Sequence, residues 1–237
     1  VKWGAAAEVA KFDAAVNWFR KRTPVSPATW SYLNADAKRK AFKVAGIAQL
    51  DLVAEVQAAV ARAVEDGTSF ETFKRAIETK LIAAWAGSVA NPAARLDTIF
   101  RNGVQSAYSA GRYRQTTEPS VKKFRPYFRL DTIADHRQSP ICRALTSPPI
   151  VLPQDDPFWA SHVPPLHHRC RSGIRALRTS EAEKLGITEK APDVEPGKGF
   201  GGRPDESEWQ PDLTKYPLSL VNEYKAKPKP PKKPRKP

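Results

Sequence analysis

The sequence predicts an α+β protein: a mainly helical N-terminal region, a smaller loop-rich mixed α/β region and an extended C-terminal arm. Three observations carry this. Apolar residues recur at helical spacing up to about Arg114, and short alternating stretches replace them after Pro119. The 22 prolines, against 12 glycines, crowd the second half, where they would break long helices. The divisions fall at residues 1–34 (a helix and linker), 35–117 (helical), 118–190 (loop-rich) and 191–237 (a Pro/Lys-rich arm). A chain of 237 residues can bury a substantial core.

Residues 1–22 read as a first helix, with Val9, Phe12, Val16 and Phe19 on one side, basic Arg20, Lys21 and Arg22 in its last turn, and Pro24 and Pro27 beyond its end. A second helical stretch runs from about Asp36 to Asp66, interrupted near Gly46. It carries Ile47, Leu50, Val53, Val56, Val60 and Val64 on one face and is stopped by Gly67. Thr68 with Glu71 makes a capping box before Phe70, Phe73, Ile77 and Leu81. Asn91 and Pro92 then supply a cap and a first-turn proline for a helix with Leu96, Ile99, Phe100, Val104, Ala107, Tyr108 and Gly111 on one face.

Beyond Pro119, residues 123–131 (KFRPYFRLD) read as a strand that Pro126 assigns to an edge or a bulge. Residues 173–177 (GIRAL) form a second candidate strand, and 180–184 a short helix. From Ala191 the chain is Pro, Gly and charge, the composition of an arm that orders by packing on something else.

The net charge of +14 favours polyanionic partners, and half of it lies in the tail: Lys225, Lys227, Lys229, Lys232, Lys233, Arg235 and Lys236, with no acid among residues 225–237. Such a solvated arm can bind phosphates without a fold of its own. Two cysteines make no disulfide framework, and no apolar run of 18 residues or signal peptide is present, so folding in a reducing cytoplasm with no membrane partner is expected. The absence of methionine implies a processed start or a sequence that begins inside a longer product.

His136 and Cys142 precede His162, His167, His168 and Cys170 by about 28 residues. Cys142, His167 and Cys170, with one of His136, His168 or Asp135, would suit a tetrahedral structural zinc that closes a small unit lacking core. The alternative is that the cysteines pack as small apolar residues and the histidines bond loop backbone. Asp131, Asp135, Asp155 and Asp156 are the acids from which a metal-dependent nucleic-acid hydrolase would be built, although an acid directly before Pro157 commonly serves as a turn or cap residue. No Gly-rich phosphate loop, HExxH or GxSxG motif occurs. The run Phe124, Arg125, Tyr127, Phe128 and Arg129 would suit a single nucleic-acid strand, or simply a strand with one wet face.

Several segments together resemble a known family. They are AFKVAGI (41–47), EDGTSFETFK (65–74) and RLDTIFRNGVQSAYSAGR (95–112), the last with Ala107, Tyr108, Gly111 and Arg112 at the family's positions. A D-x-R-x-x-x-x-C-x-x-L element follows in Asp135, Arg137, Cys142 and Leu145, then DDPFW (155–159) and PPLHHRCR (164–171), where Pro164, Pro165, His167, Cys170 and Arg171 match. Across residues 35–203 the chain resembles the phage Mu protein F-like head morphogenesis proteins, which include the minor head protein of phage SPP1. Ser172 stands where that family often has a second cysteine, and the motif favours His167 over His168 as a ligand. The resemblance implies a non-enzymatic minor capsid protein, present in few copies at the portal vertex inside the virion and assembled in the host cytoplasm. Its implied partners are the portal protein, the major capsid or scaffolding protein, and phage double-stranded DNA. A free DNA-binding protein or a nucleic-acid hydrolase is the alternative. Arg112, Asp135, Arg137 and Arg171 are expected as buried or half-buried ion-pair partners, since a guanidinium can hold a carboxylate bidentately.

Overall fold

The computed structural model describes residues 12–33, 37–38, 41–45, 47 and 49–204. Much of the first helix, the interruption at Gly46 and the whole basic tail from Lys225 to Lys236 lie outside the described residues.

The N-terminal region is helical, as its periodicity predicts. Helix α1 spans Asp13–Arg20 and buries Ala15, Val16 and Phe19. A two-residue strand β1 (Thr23–Pro24) pairs in parallel with β2 (Ala41–Phe42), and helix α2 (Pro27–Tyr32), capped by Ser26, lies between them in sequence. The predicted helical stretch from Asp36 is therefore corrected: Ala41–Phe42 is strand, and helix α3 begins only at Leu50, running to Asp66. Gly67 ends α3 at φ +64°, a left-handed conformation that glycine adopts without steric cost.

Helix α4 spans Phe70–Trp85. Its cap is Ser69, whose hydroxyl accepts from the Thr72 amide, rather than the predicted Thr68. Helix α5, Pro92–Thr117, has the predicted cap: Asn91 Oδ1 accepts from the Ala94 amide at 2.9 Å. Its 26 residues make a rod of roughly 39 Å. Phe19, Val56, Val60, Phe73, Ile77, Leu81, Trp85 and Leu96 form a first core between α1, α3, α4 and α5. Close approach demands glycine on α5: a Cβ on Gly111 would lie 2.8 Å from the Ala15 backbone nitrogen and 2.7 Å from the Phe12 ring.

The second region is a three-stranded antiparallel sheet under loops. Helix α6 (Pro119–Phe124) leads into β3 (Tyr127–Asp131), which pairs with β4 (Val151–Pro153) on one side and β5 (Gly173–Leu177) on the other. Two predictions change. Residues 119–124 are helical, so Pro126 stands before the strand rather than in it, and β3 is the central strand instead of an edge. Pro126 still contributes its carbonyl, which accepts from the Gln154 amide at 2.8 Å. Short helices α7 (Pro140–Ala144) and α8 (Thr179–Leu185) and a 3₁₀ turn (Pro157–Ala160) complete the unit. Phe128, Leu130, Leu145, Leu152, Trp159, Leu166 and Ile174 form a second core, with the Trp159 Nε1–H donated to the Pro153 carbonyl at 3.0 Å.

Residues 191–204 contain no regular element, yet they pack on their own unit. The Gly197 amide bonds the Leu166 carbonyl, and the Gly201 amide bonds that of Pro165. His162 reaches the Val194 carbonyl through Nε2 at 2.7 Å.

Candidate metal centre

Helix α7 starts at a serine cap followed by proline: Ser139 Oγ accepts from the Cys142 amide at 3.1 Å, which fixes Cys142 in the first turn with its thiol buried. The second arm of the site is the loop from Pro164 to Ser172. Its Cys170 amide bonds back to the His167 carbonyl, a turn that brings both side chains to one side.

The loop is strapped to α5 along one polar stripe. Ser109 donates to the Pro164 carbonyl at 2.5 Å, and Gln105 to the Ser172 carbonyl at 2.7 Å. Asn102 Oδ1 accepts from the Arg169 amide at 2.7 Å, where Arg169 sits at φ +58°, and Asp97 pairs with the Arg169 guanidinium. Sequence reading passed over Asn102, Gln105 and Ser109. Their signal is a polar stripe beside an apolar one on a single helix.

Three soft donors meet. Cys142 Sγ lies 3.1 Å from His167 Nε2 and 3.9 Å from Cys170 Sγ, and the three ligand atoms fall within 4.8 Å of one another. Both cysteines are free and buried, and His167 is half-buried. His167 Nδ1 faces the His168 carbonyl at 2.8 Å, so Nδ1 carries the proton and the Nε2 lone pair points into the cluster. Tetrahedral zinc, with bonds of about 2.3 Å to sulfur and about 2.0 Å to nitrogen, places its ligands about 3.5–3.8 Å apart, close to the spacing seen here. The donor set fits such an ion. Two hydroxyls border the cluster: Ser172, fully buried, with Oγ 3.0 Å from Cys142 Sγ, and Ser139, with Oγ 2.8 Å from His167 Nε2.

The two thiols do not share charge equally. Cys170 is pulled down by the hydrogen bond from the Cys142 thiol, helped by the Leu166 and Ser172 backbone amides, whereas Cys142 is pushed up by that same bond and by burial. Cys170 is therefore the readier thiolate.

Asp135 is absorbed by a different role. Arg171 donates Nη1 to Oδ2 at 2.8 Å and Nη2 to Oδ1 at 2.5 Å, holding the Asp135 carboxyl well below its ordinary range. The Arg137 amide also donates to Oδ1, at 2.9 Å. The pair ties the turn after β3 to the residue beside Cys170, behind the ligands.

Four expectations are corrected. His136 is exposed and lies outside the cluster, because the turn that sends the Asp135 carboxylate inward turns its neighbour to solvent. His168 is exposed as well; its ring nitrogen pairs with Asn102, and its ring meets Phe200 edge-on. Arg137 does form the expected ion pair with Asp135, Nη2 to Oδ2 at 3.7 Å, but its side chain is 69% exposed rather than half-buried, and its backbone amide makes the shorter contact. Arg112 is exposed and makes no ion pair among the described residues, since the neighbouring Gly111 is the position that meets α1. Pro164 is buried and Pro165 half-buried, and both offer their carbonyls to the straps already described.

The remaining acids are dispersed. Asp131 pairs with Arg129, Asp155 with Lys122, and Asp156 caps the 3₁₀ turn by accepting from the Phe158 amide at 2.9 Å. Among the described residues, the group of three or more metal-ligating side chains is Cys142, His167 and Cys170. The aromatic and basic run of β3 is likewise split: Phe128 is in the core, Phe124 is 72% exposed, and Arg125 donates to the Ala176 carbonyl. His162 is buried, stacked on Phe158 at 3.9 Å.

Comparison with known proteins covers this same frame. Over 187 residues the chain is 30% identical to the Escherichia phage Mu protein named "Putative capsid assembly protein F", an alignment that takes in 73% of this chain and 42% of that protein. The chain thus spans less than half the length of that relative. No solved structure matches. Residues 54–175, from within α3 to within β5 and including every candidate ligand, match the family described as Phage Mu protein F like protein, and the chain belongs to that family.

Proposed function

We propose that this protein is a minor capsid protein of a tailed phage, acting in head assembly as a structural component rather than an enzyme. The observation that carries this reading is the extent of the family match, which takes in the α3–α5 helical core and the Cys/His unit strapped to it. The capsid-assembly name of the phage Mu relative supports the same role. The acids that a hydrolase would gather are spent on separate ion pairs and a cap, which favours a structural role.

In this reading the folded region docks in few copies on the portal protein at the portal vertex inside the virion, after assembly in the host cytoplasm with the major capsid or scaffolding protein. The tail from Lys225 to Lys236 contacts packaged or ejected double-stranded DNA through phosphate charge. Cys142, His167 and Cys170 would hold a structural zinc ion. When bound, the ion supplies a cross-link between α7 and the 164–172 loop, in a unit whose sheet strands are only three to five residues long.

The test is a pull-down of the full chain, and of a chain lacking residues 225–237, against the portal protein of the same phage at low and high salt. Capture that survives tail removal and high salt is expected. Absence of capture in every condition overturns the portal assignment.

A further inference from the structure

A cleft of about 750 Å³ opens where α1, the 41–45 segment, α5, the Pro164–Pro165 bend and the 198–204 segment meet; it shares Pro164, Pro165 and His168 with the loop of the Cys/His site, but Cys142, His167 and Cys170 do not line it. Its charged lining among the described residues is one-sided: Arg22, Lys38, Lys43, Arg95, Lys198 and Arg203 are cations, and no described Asp or Glu lines it. Six cations without a described carboxylate among them make an unbalanced electrostatic surface.

Two of these cations, Arg22 and Arg203, are half-buried in the lining. Arg22 spends Nε and Nη2 on the Ala41 carbonyl, at 3.0 and 2.5 Å, and lies 4.9 Å over the Trp18 ring; burial lowers its pKa to about 10. The Nε–H of Arg203 is buried with no acceptor among the described residues. A buried donor without an acceptor costs free energy that an incoming anion would recover.

The apolar part of the lining selects among anions. Half-buried Ile99 and Pro165 form its aliphatic side, and the Trp18 and Trp30 rings already carry a guanidinium and an ammonium, Lys43 standing 4.5 Å over Trp30. A polynucleotide needs free aromatic faces for its bases, whereas a peptide needs apolar seats beside charged ones. We propose that this cleft binds a short acidic segment of a partner protein, its apolar side chains on Ile99 and Pro165 and its carboxylates on the basic rim. The proposal is independent of zinc and of which head protein the folded region docks on.

The test uses the full chain and a fluorescein-labelled twelve-residue peptide of alternating Glu and Leu with one central Trp. Its controls are the same peptide with Gln for Glu and a labelled twelve-nucleotide oligothymidylate, all read by fluorescence anisotropy. The double variant Arg95→Glu with Lys198→Glu reverses two rim charges that make no ion pair among the described residues; Arg62→Glu on exposed α3 surface reverses a charge outside the cleft. The acidic peptide is expected to bind, with affinity at least about tenfold weaker for the double variant and for the Gln peptide, and within about twofold of the parent for Arg62→Glu. If the double variant melts early, Lys43→Glu carries the same expectation. Absent peptide binding, or binding that Arg62→Glu weakens as much, overturns the proposal. Tighter oligothymidylate binding lost in the double variant also overturns it, and assigns the cleft to single-stranded nucleic acid.

Discussion

Arg171 holds Asp135 through two N–H···O bonds across 36 residues of sequence, joining the turn after β3 to the residue that follows Cys170. Because the carboxyl titrates below its ordinary value of 3.8 in the folded chain, the pair contributes its stability in full above that value and loses it as pH falls toward the folded pKa. Asp135→Asn is expected to lower the melting temperature by a few degrees at neutral pH and to flatten the acid limb below about pH 4, where the parent loses stability. Thermal melts followed by circular dichroism from pH 2 to 7 check this; an unchanged acid limb would refute it.

Zinc binding is measurable without any knowledge of function. The purified chain is expected to carry about one zinc, and Cys142→Ser, Cys170→Ser or His167→Ala to carry almost none, by elemental analysis. His136→Ala keeps the metal, since that side chain is exposed and outside the cluster. Ser172→Cys, which replaces a buried hydroxyl 3.0 Å from Cys142 Sγ by a thiol, tightens zinc by about tenfold or more against a competing chelator.

The strap from Ser109 to Pro164 is buried, so Ser109→Ala leaves the Pro164 carbonyl without its donor. The cost is about 1–3 kcal/mol in urea unfolding. A loss below about 0.5 kcal/mol would mean that water replaces the hydroxyl there.

Gly111 faces a backbone atom that cannot step aside. Gly111→Ala pushes α1 off α5 and costs about 1–3 kcal/mol, whereas Ala at the neighbouring exposed Arg112 changes stability by less than about 0.5 kcal/mol. Equal effects at the two positions would contradict the packing described.

What the sequence made legible was local or strongly periodic. The Asn91–Pro92 start of α5 and the Phe70, Phe73, Ile77 and Leu81 face of α4 need only neighbours in sequence to be recognised. The misreadings involve competition between adjacent candidates or very short elements. Thr68 and Ser69 are both good caps, and the chain uses the second; β1, β2 and β4 have two or three residues, too few for alternation to register. Cys142, His167 and Cys170 were identified by motif and donor chemistry, but the exclusion of His136 depends on which way one turn faces. The basic cleft was invisible to sequence reading because its cations come from four separated stretches of chain, and only the fold places them together.

Helix α5 is a wall common to two interiors: Leu96 and Ala107 belong to the first core, while Tyr113 packs on the second and Gln105 and Ser109 hold its loop. Neither core can melt without stripping that helix of half its cover. Residues 12–204 should accordingly unfold in one calorimetric transition, and a protease will find few partly opened states to cut. All-or-none behaviour of this kind is a form of durability that comes from how the cores are shared rather than from the strength of any single contact.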